Sequence, residues 1–266
     1  MPGKKPKGEY AIQTVTNALR VLDAFRDSDD YGVTELATRL QLHKNNVFRL
    51  LATLEQHGYM DQLRPTDHYR LGVRAFELGQ AFVRGRSLHT RAHRYVEAVA
   101  AETGESAHLA IMRGFEVVYT DGVTSDQLIA AGSRIGQRLP VHCTAAGKIL
   151  LGCAPDAVRE AFDRSKVAGS DLVARTVNTI ADPQKLFEHI RSARVAGFAL
   201  EVEECATGLC GVAAPVHDSE GVTIAAISVA GPVFRLGEDE LLGRIAPAVV
   251  GAAERLSHDL GYAADR

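Results

Sequence analysis

The sequence is poor in cysteine. Cys143, Cys153, Cys205 and Cys210 are the four in 266 residues, too few and too dispersed for a disulfide framework in a chain of this size. Reduced thiols are therefore expected. Long apolar runs are also missing: none approaches the roughly 20 residues that a helix needs to cross a bilayer, so no helical membrane span is expected. The basic start "MPGKKPKGEY" leads into no hydrophobic stretch, which argues against a secretory leader, and the chain reads as soluble and cytoplasmic. No internal repeat or low-complexity segment is evident. A strong charge of one sign is lacking too, the formal net charge being -3.

What is present is more organised than that small total suggests. Residues 1–86 carry thirteen Lys and Arg against ten Asp and Glu, and the rest carries seventeen against twenty-three. A mildly basic head on an acidic body suits a nucleic-acid partner at the N-terminus. The length exceeds that of one ordinary domain, and two are expected.

In the head, Ile12, Val15, Leu19 and Leu22 recur at helical spacing, with Ala18 and Phe25 widening the stripe before "RDSDDYG" breaks it. Thr34 is expected to cap a second helix with Val33, Leu36, Ala37 and Leu40 inward. A third starts near His43, burying Val47, Leu50, Leu51 and Leu54 and ending at Gly58. Asn45, Arg49, Thr53 and Gln56 line its other side. "YMDQL" and "DHYRL", joined through "RPT", read as a β-hairpin wing. The result is a winged helix-turn-helix over residues 1–72. In such a module the N-terminal part of the third helix enters the major groove, where Asn pairs bidentately with adenine and Arg with guanine. Lys44, Asn45, Asn46 and Arg49 are the candidate base or phosphate contacts, with Thr34 and His43 beside them and Arg64, His68 and Arg70 of the wing on the backbone. The plainer alternative is a winged helix used for protein contacts alone.

Val73, Phe76, Leu78, Ala81 and Phe82 give residues 73–87 the spacing of a linker helix, one that could also help pair subunits. The remainder, residues 88–266, opens with a helix burying Leu88, Ala92, Tyr95, Val96 and Val99 and ending at Gly104. The period then changes to that of strands. "SAHLAIM" and "EVVYTD" flank Arg113-Gly114 as one hairpin, and "GVAAPVH" and "VTIAAISVA" flank "DSEG" as another. Asp182, Pro183 and Gly197 bracket a helix as N-cap, first-turn proline and C′ glycine. A last helix is expected from about Asp239 to Leu256. This is an α+β domain with an antiparallel sheet.

The stretch "VHCTAAGKILL" from Val141 invites four readings. A phosphate-binding loop fails, because His142 and Ile149 stand where glycine and a hydroxyl residue are required; Lys148 is then an ordinary helix lysine. A Cys143–His142 nucleophile is disfavoured because sequence neighbours point apart. Zinc held by His142, Cys143, Glu203, Cys205 and Cys210 lacks tight ligand spacing. Last, Thr144 can cap a helix whose small residues Ala145 and Ala146 leave backbone N–H groups open to an anion.

"VTELATRLQLHKNNVFRLLATLEQHGYM", "YRLG", "TGESAHLAI", "GSRIGQRLPVHCTAAGK", "GFALEVEE" and "GVAAPVHDSEGVTIAAISVAGP" together resemble the isocitrate-lyase-regulator (IclR) family of bacterial transcription factors, from about Ile12 onward. The resemblance implies a winged helix-turn-helix joined by a linker helix to a GAF-like effector-binding domain. It further implies a homodimer or dimer of dimers on double-stranded operator DNA, a small carboxylic acid as effector, RNA polymerase as a candidate partner, and neither cofactor nor catalysis. Gln41, His43 and the Asn45-Asn46 pair depart from the usual turn glycine, proline and Ser-Thr, so the operator does not carry over. If the turn needs a left-handed residue, Gln41 costs roughly 1 kcal/mol there. Carried over residue by residue, the effector pocket comprises Leu128 and Ala131 on an apolar strand, the helix start Thr144, Ala145 and Ala146, then Glu201, Leu209, Gly211, Ser228 and Ala230. Glu201 replaces an aspartate, Gly211 a cysteine and Ala230 a serine, which implies a larger or more apolar acid, aromatic or branched. The plainer alternatives are core packing for Leu128, Ala131 and Leu209, a local backbone bond for Ser228, and a surface position for Glu201.

Overall fold

A computed structural model describes residues 11–26, 28–84, 87–167 and 172–263. They form two compact units, residues 1–86 and 87–266. The ten N-terminal residues, residues 85–86 near the end of the expected linker and the side chain of Phe82 lie outside the described residues. No helix among the described residues is long and apolar enough to cross a membrane.

The first unit has α1 (Gln13–Ala24), α2 (Val33–Leu40), α3 (Lys44–Gln56), β1 (Met60–Leu63), β2 (His68–Leu71) and α4 (Val73–Arg84). Its core is Val21, Ala24, Phe25, Leu36, Leu40, Val47, Leu50, Leu51, Met60 and Tyr69. On α1 the buried side is the Ala18, Val21, Leu22 and Phe25 stripe, whereas Ile12, Val15 and Leu19, expected inward, are exposed. The helix is apolar over more of its circumference than the core can cover, and the larger contact with α3 sets its rotation. Val73, Phe76 and Leu78 of α4 are likewise exposed.

Gln41 sits between α2 and α3 at φ 54° and ψ 45°, the left-handed conformation that the turn was expected to need. The cap of α2 differs from expectation. The helix begins at Val33, and the Glu35 carboxylate accepts from the Gly32 N–H at 2.8 Å, leaving Thr34 inside the first turn. Glu35 reaches back past Thr34 because a carboxylate in the third helical position is placed to do so. At the end of α3, the Tyr59 and Gly58 N–H groups bond the Leu54 and Glu55 carbonyls around Gly58 at φ 76°, the Schellman arrangement. The wing is closed by a third edge, with Tyr31 and Tyr69 exchanging both backbone hydrogen bonds.

The second unit is built on a six-stranded antiparallel sheet in the order β5-β4-β3-β8-β7-β6. The strands are β3 (Ser106–Arg113), β4 (Glu116–Val123), β5 (Arg138–Pro140), β6 (Ala199–Val202), β7 (Leu209–His217) and β8 (Thr223–Pro232). One face packs on α5 (Ser87–Thr103) and α10 (Ala246–Asp259), burying Leu109, Val212, Ile227 and Val229. The other packs on α6 (Ala145–Gly152), α7 (Asp156–Val167) and α8 (Pro183–Ala196), burying Ala110, Val117, Ala213 and Ala226. Because strand side chains alternate, odd and even positions serve two cores.

Asp182 accepts from the Gln184 and Lys185 N–H groups, Pro183 opens α8 and Gly197 closes it at φ 79°, as the sequence indicates. The expected last helix is instead a short turn α9 (Glu238–Glu240), a π-helical turn Leu241–Ile245, and α10. Residues 124–137, expected to contain an apolar strand, form a loop. It is tied down by side chains: Arg235 donates to the Ile129 carbonyl while paired with buried Glu105, and Ser106 Oγ donates to the Ala131 carbonyl at 2.6 Å.

Candidate nucleic-acid interface and effector site

In the first unit, α3 has a buried side of Val47, Leu50 and Leu51, and its first two turns present Lys44, Asn45, Asn46, Phe48 and Arg49 to solvent. His43 is the N-cap and makes no side-chain cap bond, so its ring is free of a structural duty at the helix start. Phe48 is 54 % exposed, an apolar group among polar ones that the sequence pattern gave no reason to single out. In the wing, Arg64 is exposed at the turn, Arg70 lies near Asp61 at 3.7 Å, and His68 Nδ1 meets Asp30 at 2.9 Å. The hydrogen bond to Asp30 raises the His68 pKa above its ordinary value.

In the second unit, the expected pocket residues fall on the α6 face of the sheet in two cross-strand rows. Glu201, Gly211, Ala230 and Ser106 are successive register partners across β6, β7, β8 and β3. Ala199, Ala213, Ser228, His108 and Gly122 form the next row. Between Glu201 at one end and His108 at the other, the floor holds no side chain larger than serine. Leu209 is half-buried at the start of β7, and Ala131 is buried with its carbonyl on Ser106. Leu128 is fully exposed on its loop and the structure does not bring it to the others.

The roof is the start of α6. Thr144 Oγ1 accepts from the Gly147 N–H at 3.1 Å, the expected cap. A Cβ on Gly147 would stand 2.4 Å from the Val141 backbone, so this helix can sit so close only with glycine there. The helix start is not bare. Glu201 Oε2 accepts from the Ala145 N–H at 3.4 Å, so the protein's own carboxylate holds the place expected for an effector's. Glu201 is 2 % exposed, its pKa is raised by burial, and among the described residues its Oε1 has no hydrogen-bond partner.

Arg134, His108 and Gly122, which the sequence pattern did not single out, adjoin these rows. Arg134, from the "GSRIG" stretch, is 9 % exposed and donates to Tyr119 Oη at 3.0 Å. His108 Nε2 accepts from the Arg134 backbone N–H, which fixes the ring as the neutral Nδ1–H tautomer. Burial first, and Arg134 second, lower its pKa to about 4. Gly122 leaves room for that ring, since a Cβ there would lie 2.6 Å from His108 Cδ2. A lone histidine within the apolar run of "SAHLAIM" was the available signal.

Lys148 is also a correction. It is a helix lysine as expected but not an ordinary one: α6 is buried over all eight residues, and Lys148 Nζ pairs with Glu204 at 2.5 Å with no exposure of its own. The five residues considered for zinc are divided. Cys210 belongs to the core on the opposite face, His142 Nε2 lies 3.1 Å from the Val173 carbonyl, and Glu203 accepts from the Gly208 N–H. The hydrogen bond to Cys205, then burial, push the Cys143 thiol up, the wrong direction for a nucleophile.

A winged helix-turn-helix and, in the same chain, a sheet domain with a buried polar cluster define a class, the two-domain DNA-binding regulator. Residues 14–64 match the IclR helix-turn-helix domain, and residues 80–258 match the bacterial transcriptional regulator IclR C-terminal domain. The chain belongs to the IclR family of bacterial transcriptional regulators, which are not enzymes. It is 34 % identical to the HTH-type transcriptional regulator XynR of Escherichia coli (strain K12), over 95 % of this chain and 99 % of that one. The IclR structure from Thermotoga maritima superposes with a TM-score of 0.74 at 28 % identity, covering 95 % of this chain and 100 % of the other. An IclR homologue from Microbacterium hydrocarbonoxydans, solved in complex with 4-hydroxybenzoate, gives 0.79 at 25 % identity, covering 93 % and 98 %.

Proposed function

We propose that this regulator works in the cytoplasm as a homodimer or dimer of dimers that reads an operator through the start of α3 and responds to a small organic acid bound on the α6 face of its second unit. The observation that carries the DNA reading is the contrast across α3. Its inner side is fully packed, and its outer N-terminal side offers two amides, an ammonium, a guanidinium and one aromatic ring. Asn45, Asn46 and Arg49 suit base edges, Lys44 a phosphate, and Phe48 the methyl of thymine. Arg64 and Arg70 serve the flanking backbone, with His43 and Thr34 at the margins of the contact. Exposed apolar residues on α1 and α4 support a subunit interface within the DNA-binding half, because faces of that kind on a soluble protein mark association. RNA polymerase remains a candidate partner of the bound regulator.

The effector site comprises Ala131, Thr144, Ala145, Ala146, Glu201, Leu209, Gly211, Ser228 and Ala230, with Leu128 on a loop outside it. A small-residue floor suits a molecule larger than a two- or three-carbon acid, and a relative in complex with 4-hydroxybenzoate supports an aromatic acid. The controlled operon is then catabolic or metabolic. Double-stranded DNA selected from a random pool tests the reading. Wild type is expected to enrich near-palindromic sites and protect them from cleavage, and Arg49→Ala to lose that protection. Equal protection by the variant would remove α3 from the interface.

A further inference from the structure

The start of α6 already holds the Glu201 carboxylate, so an incoming carboxylate needs another partner. Arg134 is that partner on chemical grounds. The residue is 9 % exposed, its guanidinium donates a hydrogen bond to the neutral Tyr119 phenol, and among the described residues no carboxylate lies within ion-pair distance of it, Glu201 acting on it only through space. Arginine buried without a carboxylate or phosphate against its fork is costly, and its remaining N–H groups match a planar anion bidentately. Beside it, His108 is 1 % exposed, its Nε2 is committed to the Arg134 backbone, and Nδ1–H has no acceptor. The Tyr119 ring stands edge-on to His108 at 5.5 Å and has the Arg134 guanidinium 5.4 Å from its centre.

The opposite end has the complementary deficit, because Glu201 Oε1 is a buried acceptor without a donor. Glu201 and His108 stand on β6 and β3, which are three strand spacings apart, about 14 Å between backbones. Between them the register places only Gly211, Ala213, Ser228 and Ala230. Resting on the effector reading above, we propose that the effector is a small hydroxy acid, its carboxylate held by Arg134 and His108 Nδ1–H and its hydroxyl donated to Glu201.

The experiment is a thermal-shift and calorimetric screen of the full chain against small organic acids, hydroxylated and not, each beside its primary amide. The panel includes 4-hydroxybenzoate, benzoate, gluconate and lactate. At least one hydroxy acid is expected to raise the Tm and its amide to leave it unchanged. Arg134→Gln is expected to weaken that acid at least tenfold, with Arg134→Lys between the two, because a charge-assisted forked contact is lost. Glu201→Gln is expected to erase the preference for the hydroxylated acid over its unhydroxylated counterpart. A purely structural Arg134 would behave differently, since its removal would lower the Tm without ligand, whereas here ligand-free Arg134→Gln is expected to melt no lower than wild type. No acid binding, amides binding as well as acids, or full affinity in both Arg134 variants would overturn the proposal. Wild-type binding to selected DNA, measured in parallel, judges the regulator reading separately: its failure sinks that reading and leaves the ligand result standing.

Discussion

The two units handle charge in opposite ways. In the first, ionisable groups sit at the surface: His68 with Asp30, Arg70 with Asp61, and Arg74 with Glu77 are all substantially exposed. The cations at the start of α3 have no ion-pair partner among the described residues, and water solvates them until DNA replaces it. In the second unit, Lys148, Glu204, Glu201, Arg134, His108 and Glu105 are all buried. Surface charge is weakly coupled to folding and strongly to a polyanion. Buried charge is coupled to folding whenever a partner is missing, and so to whichever ligand supplies one. Under the proposed function, the same residue types serve long-range attraction in one unit and selection of a small molecule in the other.

Substitutions can break this contrast, and the largest effect is expected at Lys148. Lys148→Met leaves Glu204 buried and unpaired, and should destabilise the second unit by about 3–5 kcal/mol in chemical denaturation. Adding Glu204→Leu should restore most of that loss; if the double variant is no better, the pair is not the source. Next comes acidification. The folded pKa of His108, about 4, lies below the unfolded value of 6.5, so the unfolded chain takes up its proton first as pH falls. Its contribution is complete above pH 6.5 and is lost by about pH 4, on the order of 3 kcal/mol. Denaturation across that range should show the step in wild type and a much smaller one in His108→Asn.

In the first unit the effects are smaller. Gln41→Gly relieves a left-handed backbone without touching a contact, and should stabilise this unit by about 1 kcal/mol, read as a raised denaturation midpoint at unchanged slope. Smallest of all, Asp30→Asn should lower the His68 pKa in an NMR titration and leave the melting temperature nearly unchanged, because both partners are solvated. A large loss of stability there would erase the distinction between the two units.

Much of the fold was legible because local chemistry and tertiary packing agree. Asp182, Pro183 and Gly197 mark both ends of α8, the strand runs are nearly continuously apolar because both faces of the sheet are covered, and α3 has one apolar side. What was not legible depends on a partner distant in the chain. Which stripe of α1 turns inward is decided by α3. Whether Lys148 is buried is decided by Glu204, which lies 56 residues away. Of the candidate site, the Thr144 cap was legible from local chemistry, whereas Glu201 and the small residues of β7 and β8 came from the family resemblance. Arg134 and His108 owe their meaning to a cross-strand register and to hydrogen bonds that they fail to make, and neither leaves a mark in spacing.

The claim that the first unit's unpaired surface cations exist for a polyanion is tested most directly by salt. Affinity for the selected operator should be measured by fluorescence anisotropy from 50 to 200 mM salt, for wild type and for Lys44→Ala. With about 6–10 phosphates neutralised, wild-type affinity should fall on the order of a thousandfold or more, on a straight line in log K against log salt. Lys44→Ala should flatten that slope by about one unit. An affinity indifferent to salt, or an identical slope in the variant, would contradict the account.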